Sequence, residues 1–299
     1  MSSKFWGALT LAMLLLVGCG APRDPYAKQV GKVQNFSKKG DEWYGKGDLQ
    51  RANREFNRAL ALSRSMDYQP GVALQLNNLG AVALEQGHLS RAREFFTRAW
   101  EVNRNQGNWV EASTNQANLA TVAQQAGNLG AAARHLTQAE EAARVSKNKA
   151  ALARLYCRWA GFYLDQMDLG RAEEYLSLAQ RLAGTPALKA VVAHQQGRLA
   201  LARGDSPKAI IHFTRALEGD RQLLDRAAIA ADLYYLGEAS RLGQDWPRAF
   251  DYYARAFDVY ASLGRQARLR ECLNRLKEAN REGFLNRSLE RFEKHTLAS

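Results

Sequence analysis

Residues 79–99 read LGAVALEQGHLSRAREFFTRA. Ala92, Phe96 and Ala99 stand at i, i+4 and i+7, the spacing of one helical face, here alternating small, large, small. Upstream, Leu79-Gly80 and Ala83 form a second such face, and Gly87 separates the two with the dihedral freedom a tight connection needs. The stretch therefore predicts two antiparallel helices in close contact. The same unit recurs along the chain. Ala52, Ala92, Ala132, Ala172, Ala209 and Ala249 are spaced by 40, 40, 40, 37 and 40 residues. Phe56, Phe96, Leu136, Leu176, Phe213 and Tyr253 follow four residues later, and Ala59, Ala99, Ala139, Ala179, Ala216 and Ala256 three after that. The first helix of each unit has its own column: Lys39-Gly40, Leu79-Gly80, Leu119-Ala120, Trp159-Ala160, Gln196-Gly197 and Leu236-Gly237. The turn carries Gly47, Gly87, Gly127, Gly204 or Gly243, and Met167-Asp168 in the fourth unit. A self-similar period of this length predicts an all-α solenoid of helix pairs.

The pattern L-G-x-x-A, G-x-L, A-x-x-x-F-x-x-A resembles the tetratricopeptide repeat, over residues 32–264 in six copies. The period is longer than the usual 34, and the proline after the second helix is missing. In its longer period the chain resembles the repeats of LGN-like adaptors and of the maltose regulator's helical region. The resemblance implies a right-handed superhelix whose concave face binds a peptide or a partner protein. Residues 265–283, RQARLRECLNRLKEANREG, read as an amphipathic helix covering the last repeat, since an open solenoid end must hide its apolar face.

One inner column reads Lys38, Asn78, Asn118, Arg158, Gln195, Tyr235. In LGN-like adaptors, asparagines at this kind of position bond the backbone of an extended peptide and arginines pair with its carboxylates. An Asn or Gln amide offers both a donor and an acceptor, and Arg a planar fork. Asn118 with Arg154 and Arg158 also resembles three of the five positions of a carboxylate clamp; the other two are here Asn77 and Ala81. A simple polar lining of the groove explains the same residues. Tyr44, Tyr234 and Tyr235 read either as anchors for ligand side chains or as packing between repeats.

The N-terminus places the chain. Met1-Ser2-Ser3-Lys4 precedes an apolar run, 6–17, too short to span a membrane but suited to a secretory signal. Leu16-Val17-Gly18-Cys19 resembles a bacterial lipobox, which implies cleavage before Cys19 and acylation of that cysteine. An ordinary signal with an incidental cysteine is the competing reading. Gly20 after the cysteine implies outer-membrane sorting. The chain thus divides into a signal, 1–18, a lipidated basic tether, 19–31, the repeats, 32–264, and a cap with a basic tail, 265–299. Cys157 and Cys272 lie some three repeats apart, beyond disulfide reach, and read as free thiols within helices.

The net charge of +12 is concentrated at the ends: residues 19–40 and 265–299 carry +4 each, and the long middle, 41–264, only +3. On an exported chain this argues against a nucleic-acid partner and suits either an anionic surface or a solvated tether. The histidines at 88, 135, 194, 212 and 295 are scattered, with no metal spacing, phosphate loop or nucleophile elbow. The sequence points to no enzyme and no cofactor. It predicts an envelope scaffold binding a protein or peptide: an assembly factor for an outer-membrane machine, or else an adaptor for peptidoglycan enzymes, or a binder of lipopolysaccharide through its basic ends.

Overall fold

The structure is a computed structural model and describes residues 25–297; the lipobox, Cys19 and the signal segment lie outside the described residues. Fourteen α-helices occupy the described chain. The first seven are α1 (Pro25–Gly45), α2 (Leu49–Ser65), α3 (Gln69–Glu85), α4 (Leu89–Asn105), α5 (Trp109–Gln125), α6 (Leu129–Val145) and α7 (Lys149–Asp165). The rest are α8 (Leu169–Leu182), α9 (Pro186–Ala202), α10 (Ser206–Gln222), α11 (Arg226–Leu242), α12 (Trp246–Ser262), α13 (Gln266–Glu282) and the short α14 (Glu290–Leu297). Each packs most heavily on its sequence neighbour, so the chain is an all-α solenoid of consecutive pairs. No described helix is long and apolar enough to cross a membrane.

Two devices stop and restart the helices. Between partners of a pair, one residue adopts a left-handed φ: Gly47 (75°), Gly87 (75°), Gly127 (74°), Met167 (59°), Gly204 (77°) and Gln244 (59°). Met167 thus takes the glycine position in the fourth unit. In the sixth, Gly243 was the expected left-handed residue, but it has φ −79° and Gln244 makes the turn. The next residue then caps the second helix. Asp48, Asn128, Asp168, Asp205 and Asp245 each accept a hydrogen bond from the N–H three residues on, satisfying one orphan donor of the helix start.

The core repeats with the sequence. Each alanine of the columns headed by Ala52 and Ala59 is fully buried, and Phe56, Phe96, Phe213 and Tyr253 are at most 2% exposed. A Cβ placed on Gly40, Gly80, Gly197 or Gly237 would lie 2.3–2.7 Å from the ring of that same unit's aromatic. Where the first helix carries alanine instead, at Ala120 and Ala160, the partner is Leu136 or Leu176. Glycine with an aromatic ring and alanine with leucine are two fillings of the same interhelical space, as close packing demands. Cys157 and Cys272 are buried and unbonded, and burial pushes both thiols up to about 12, where they are unreactive. On α13, Leu269, Cys272, Leu276 and Ala279 are buried in one cluster with Tyr253, Phe257 and Phe292 of α14.

Candidate functional site

The helices α5, α7, α9 and α11 touch one another directly as well as their pair partners. That crowding puts the first helix of each pair on the inner, concave side of the curve. Polar pairs join successive inner helices at a sequence separation of 38: Gln75 Nε2 donates to Ser37 Oγ (3.2 Å), Asn115 Nδ2 to Asn77 Oδ1 (3.0 Å), and His194 Nδ1 lies 2.6 Å from Asp232 Oδ1. In the middle of the solenoid the equivalent residues are apolar, Leu155 and Val192, both buried. Asn115 is only 1% exposed and its Oδ1 accepts from Asn103 Nδ2 of α4 at 2.8 Å, so this amide chain is structural.

The residues of the predicted column differ in their contacts. Asn118 Nδ2 donates to Asn77 Oδ1 at 3.0 Å. Asn77, predicted in the groove at a clamp position, gives its oxygen to two amides of α5 and positions Asn118. Asn78 and Asn118 are half-buried. Gln195 Oε1 accepts from Arg198 Nη1 at 3.1 Å. Tyr235 stacks on Phe213 at 5.2 Å between ring centroids and meets His194 edge-on, so it packs between repeats. Tyr44 lies under the Arg265 guanidinium, and Tyr234 OH faces Arg275 Nε at 3.5 Å; both serve internal contacts.

Arg154 and Arg158 stand one turn apart on α7, exposed, beside a small cavity of about 80 Å³ that Ser113 and Thr114 of α5 also line. Arg158 Nη1 donates to Thr121 Oγ1 at 3.2 Å, a neutral partner. Protein surrounding it on the concave side desolvates the guanidinium and lowers its pKa. Neither arginine has a carboxylate partner among the described residues. Two other arginines of the first helices, Arg198 and Arg275, are by contrast neutralised. Arg198 Nη2 pairs with Asp165 Oδ1 at 2.6 Å, and Gln124 Nε2 approaches the other oxygen at 3.4 Å. Arg275 of α13 pairs with Glu238 of α11 (2.7 Å) and with Glu278 (2.8 Å). Glu238 also accepts from Arg241 (2.9 Å) and from Tyr253 OH (2.8 Å). Burial works against the charge on Arg275, and bonds to Tyr234 and Glu278 with the Glu238 charge more than offset it, so its pKa is raised.

No protein-family model matches the chain, and no curated protein matches it in sequence. Solved structures do match in fold. NprR in complex with its cognate peptide NprX aligns over 91% of this chain and 78% of its own, with TM-score 0.62 and 12% identity. The apo form of RapI aligns over 79% and 85%, with TM-score 0.61 and 15% identity. A signal-transduction ATPase of Pyrococcus horikoshii with a tetratricopeptide repeat sensor aligns over 90% of this chain, with TM-score 0.56 and 15% identity. This chain spans about two fifths of that protein (41%). The fold is a tetratricopeptide-type solenoid. Of the expected residues, Arg154 and Arg158 line one small cavity between α5 and α7, and Asn118 bonds Asn77 of α3. Thr121, Asp165, Arg198, Glu238 and Arg275 were not among the predicted residues; of these only Arg275, 40 positions after Tyr235, continues the predicted column.

Proposed function

We propose that this chain is a non-enzymatic interaction scaffold that holds an extended segment of a partner protein in its concave groove. The segment presents an anionic group, an acidic side chain or a C-terminal carboxylate, to Arg154 and Arg158. Asn118, one repeat earlier, and Asn78, two repeats earlier, bond its backbone. The observation that carries this reading is the pair of guanidinia on α7, which no carboxylate answers among the described residues, whereas Arg198 and Arg275 on neighbouring first helices are neutralised. A charge-assisted bond to an incoming carboxylate is worth about 1.5–3 kcal/mol net, enough to orient a peptide. NprR, similar in fold, is described with a peptide ligand, which supports a peptide as occupant.

The lipobox-like Leu16–Cys19 supports a lipid anchor at Cys19, with the repeats held at the bacterial envelope, facing the periplasm from the outer membrane. In that setting the scaffold serves assembly of an outer-membrane machine. The test is a detergent pull-down of the full-length protein from its own envelope, beside Asn118→Ala/Arg158→Glu. Proteins recovered with the wild type and absent from the variant support the groove, and a machine subunit among them supports the assembly role. Recovery of peptidoglycan enzymes instead would favour the adaptor reading. Identical sets from both baits would move binding to the basic termini and end the groove reading.

A further inference from the structure

The turns within pairs, such as 46–48, lie along one edge of a solenoid, and the turns between pairs, such as 263–265, along the opposite edge. Two such turns, separated by nearly the whole repeat array, touch. A Cβ on Gly47 would lie 2.3 Å from the Leu263 carbonyl oxygen and 2.8 Å from Gly264 Cα. A Cβ on Gly264 would lie 3.0 Å from the Lys46 carbonyl oxygen. Both glycines hold left-handed φ, 75° and 63°, so their backbones alone fill the contact. Beside them Arg265 Nη1 pairs with Glu85 Oε1 of α3 at 2.7 Å, and its guanidinium lies 5.0 Å from the centre of the Tyr44 ring. The Arg265 side chain is 15% exposed, unlike the open surface pairs of this protein.

We infer that the solenoid completes one superhelical turn and closes on itself, with Gly47, Tyr44 and Glu85 on one edge and Leu263, Gly264 and Arg265 on the other forming an intramolecular seam. An opposite edge meeting the first repeat leaves the inner face with no open side between α2 and α13. The concave face is then the wall of an enclosed channel, which a segment enters end-on. What the channel admits rests on the peptide reading above; the closure does not. Opening the seam is the step that would let a segment without a free end enter from the side.

Small-angle scattering of the full-length chain without ligand tests the closure. Gly47→Ala is compared with Gly87→Ala, whose φ is the same 75° and whose Cβ would meet nothing within 4 Å. The strain of alanine at positive φ is common to both, so any difference reports the seam. We expect Gly47→Ala to shift the radius of gyration upward while Gly87→Ala matches the wild type. Arg265→Glu should shift it likewise, and Glu85→Arg/Arg265→Glu should return it toward the wild-type value. Circular dichroism confirms that each variant keeps its helices. Arg158→Glu, in the groove, should leave the radius unchanged, so failed peptide binding and failed closure are told apart. Equal radii for wild type, Gly47→Ala and Arg265→Glu would overturn the inference.

Discussion

Arg158 on α7 and Arg275 on α13 occupy the same register, each facing a residue 37 positions earlier on the preceding inner helix. Arg158 faces Thr121 and Arg275 faces Glu238. The carboxylate of Glu238 is 9% exposed and serves Arg241 and Tyr253 besides, so the C-terminal groove is internally neutral and needs no ligand. The threonine hydroxyl gives Arg158 one weak bond and no counter-charge. Geometry is shared; charge completion differs. In a repeat protein, a binding site is marked by the unit in which a recurring arrangement lacks its usual partner.

The largest effect should come from making the C-terminal region resemble the middle. Glu238→Thr removes the shared acceptor of Arg241, Arg275 and Tyr253 and should cost roughly 3 kcal/mol, at the low end for breaking a buried pair because the two guanidinia keep a third of their exposure. Chemical denaturation measures it; a loss under about 0.5 kcal/mol would mean the network contributes no more than surface pairs do. The converse change, Thr121→Glu, gives Arg158 an internal partner. Affinity for the captured segment should fall roughly 10- to 100-fold, the worth of a charged hydrogen bond, while stability holds or rises. Titration of the segment with both proteins decides this, and unchanged affinity would remove Arg158 from the site.

The regions also differ in how helices fit. Gly80→Ala drives a methyl into the Phe96 ring and should destabilise by about 1–3 kcal/mol. Adding Phe96→Leu should recover most of the loss, because alanine with leucine is the filling of the third and fourth units. Additive losses in the double-mutant cycle would refute that equivalence. A further difference concerns pH. In the C-terminal region His194 of α9, Asp220 of α10 and Asp232 of α11 form a cluster, with Arg198 and Asp225 nearby. Burial, reinforced at Asp220 by the Asp232 charge, pushes both carboxyls up to about 7, so the pair retains protons that the unfolded chain has released. Their contribution to stability is full below 3.8 and is lost as pH rises through about 7. Burial takes His194 down to about 4, and its contribution is lost as pH falls from 6.5 through that value. Two carboxyls outweigh one imidazole, so melts should show stability falling from pH 4 to 7, and Asp220→Asn should flatten the fall. An unchanged slope in Asp220→Asn would exclude the cluster as its source.

The fold was legible because the solenoid repeats its packing. Ala92, Phe96 and Ala99 state a helix face, and five further copies fix the pairing. The candidate site is legible in part: one column read across units lists Asn118 and Arg158, and each bonds a residue of the preceding first helix. Contacts that join different columns escaped it. Asn77 with Asn115 and His194 with Asp232 stand 38 apart, shorter than the period, because successive inner helices meet slightly out of register. The partner of Arg275 was invisible for the same reason. The seam of Gly47 with Leu263 and Gly264 depends on curvature summed over the whole array, which no local pattern encodes.

The most direct test of the central claim is selection of a random peptide library on the wild-type chain, with each recovered peptide then assayed against Thr121→Glu and Arg158→Glu. The account predicts peptides enriched in Asp and Glu, or dependent on a free C-terminal carboxylate, that bind both variants at least about tenfold more weakly, the loss of one charged hydrogen bond. Peptides without an acidic group, held equally by all three proteins, would contradict it.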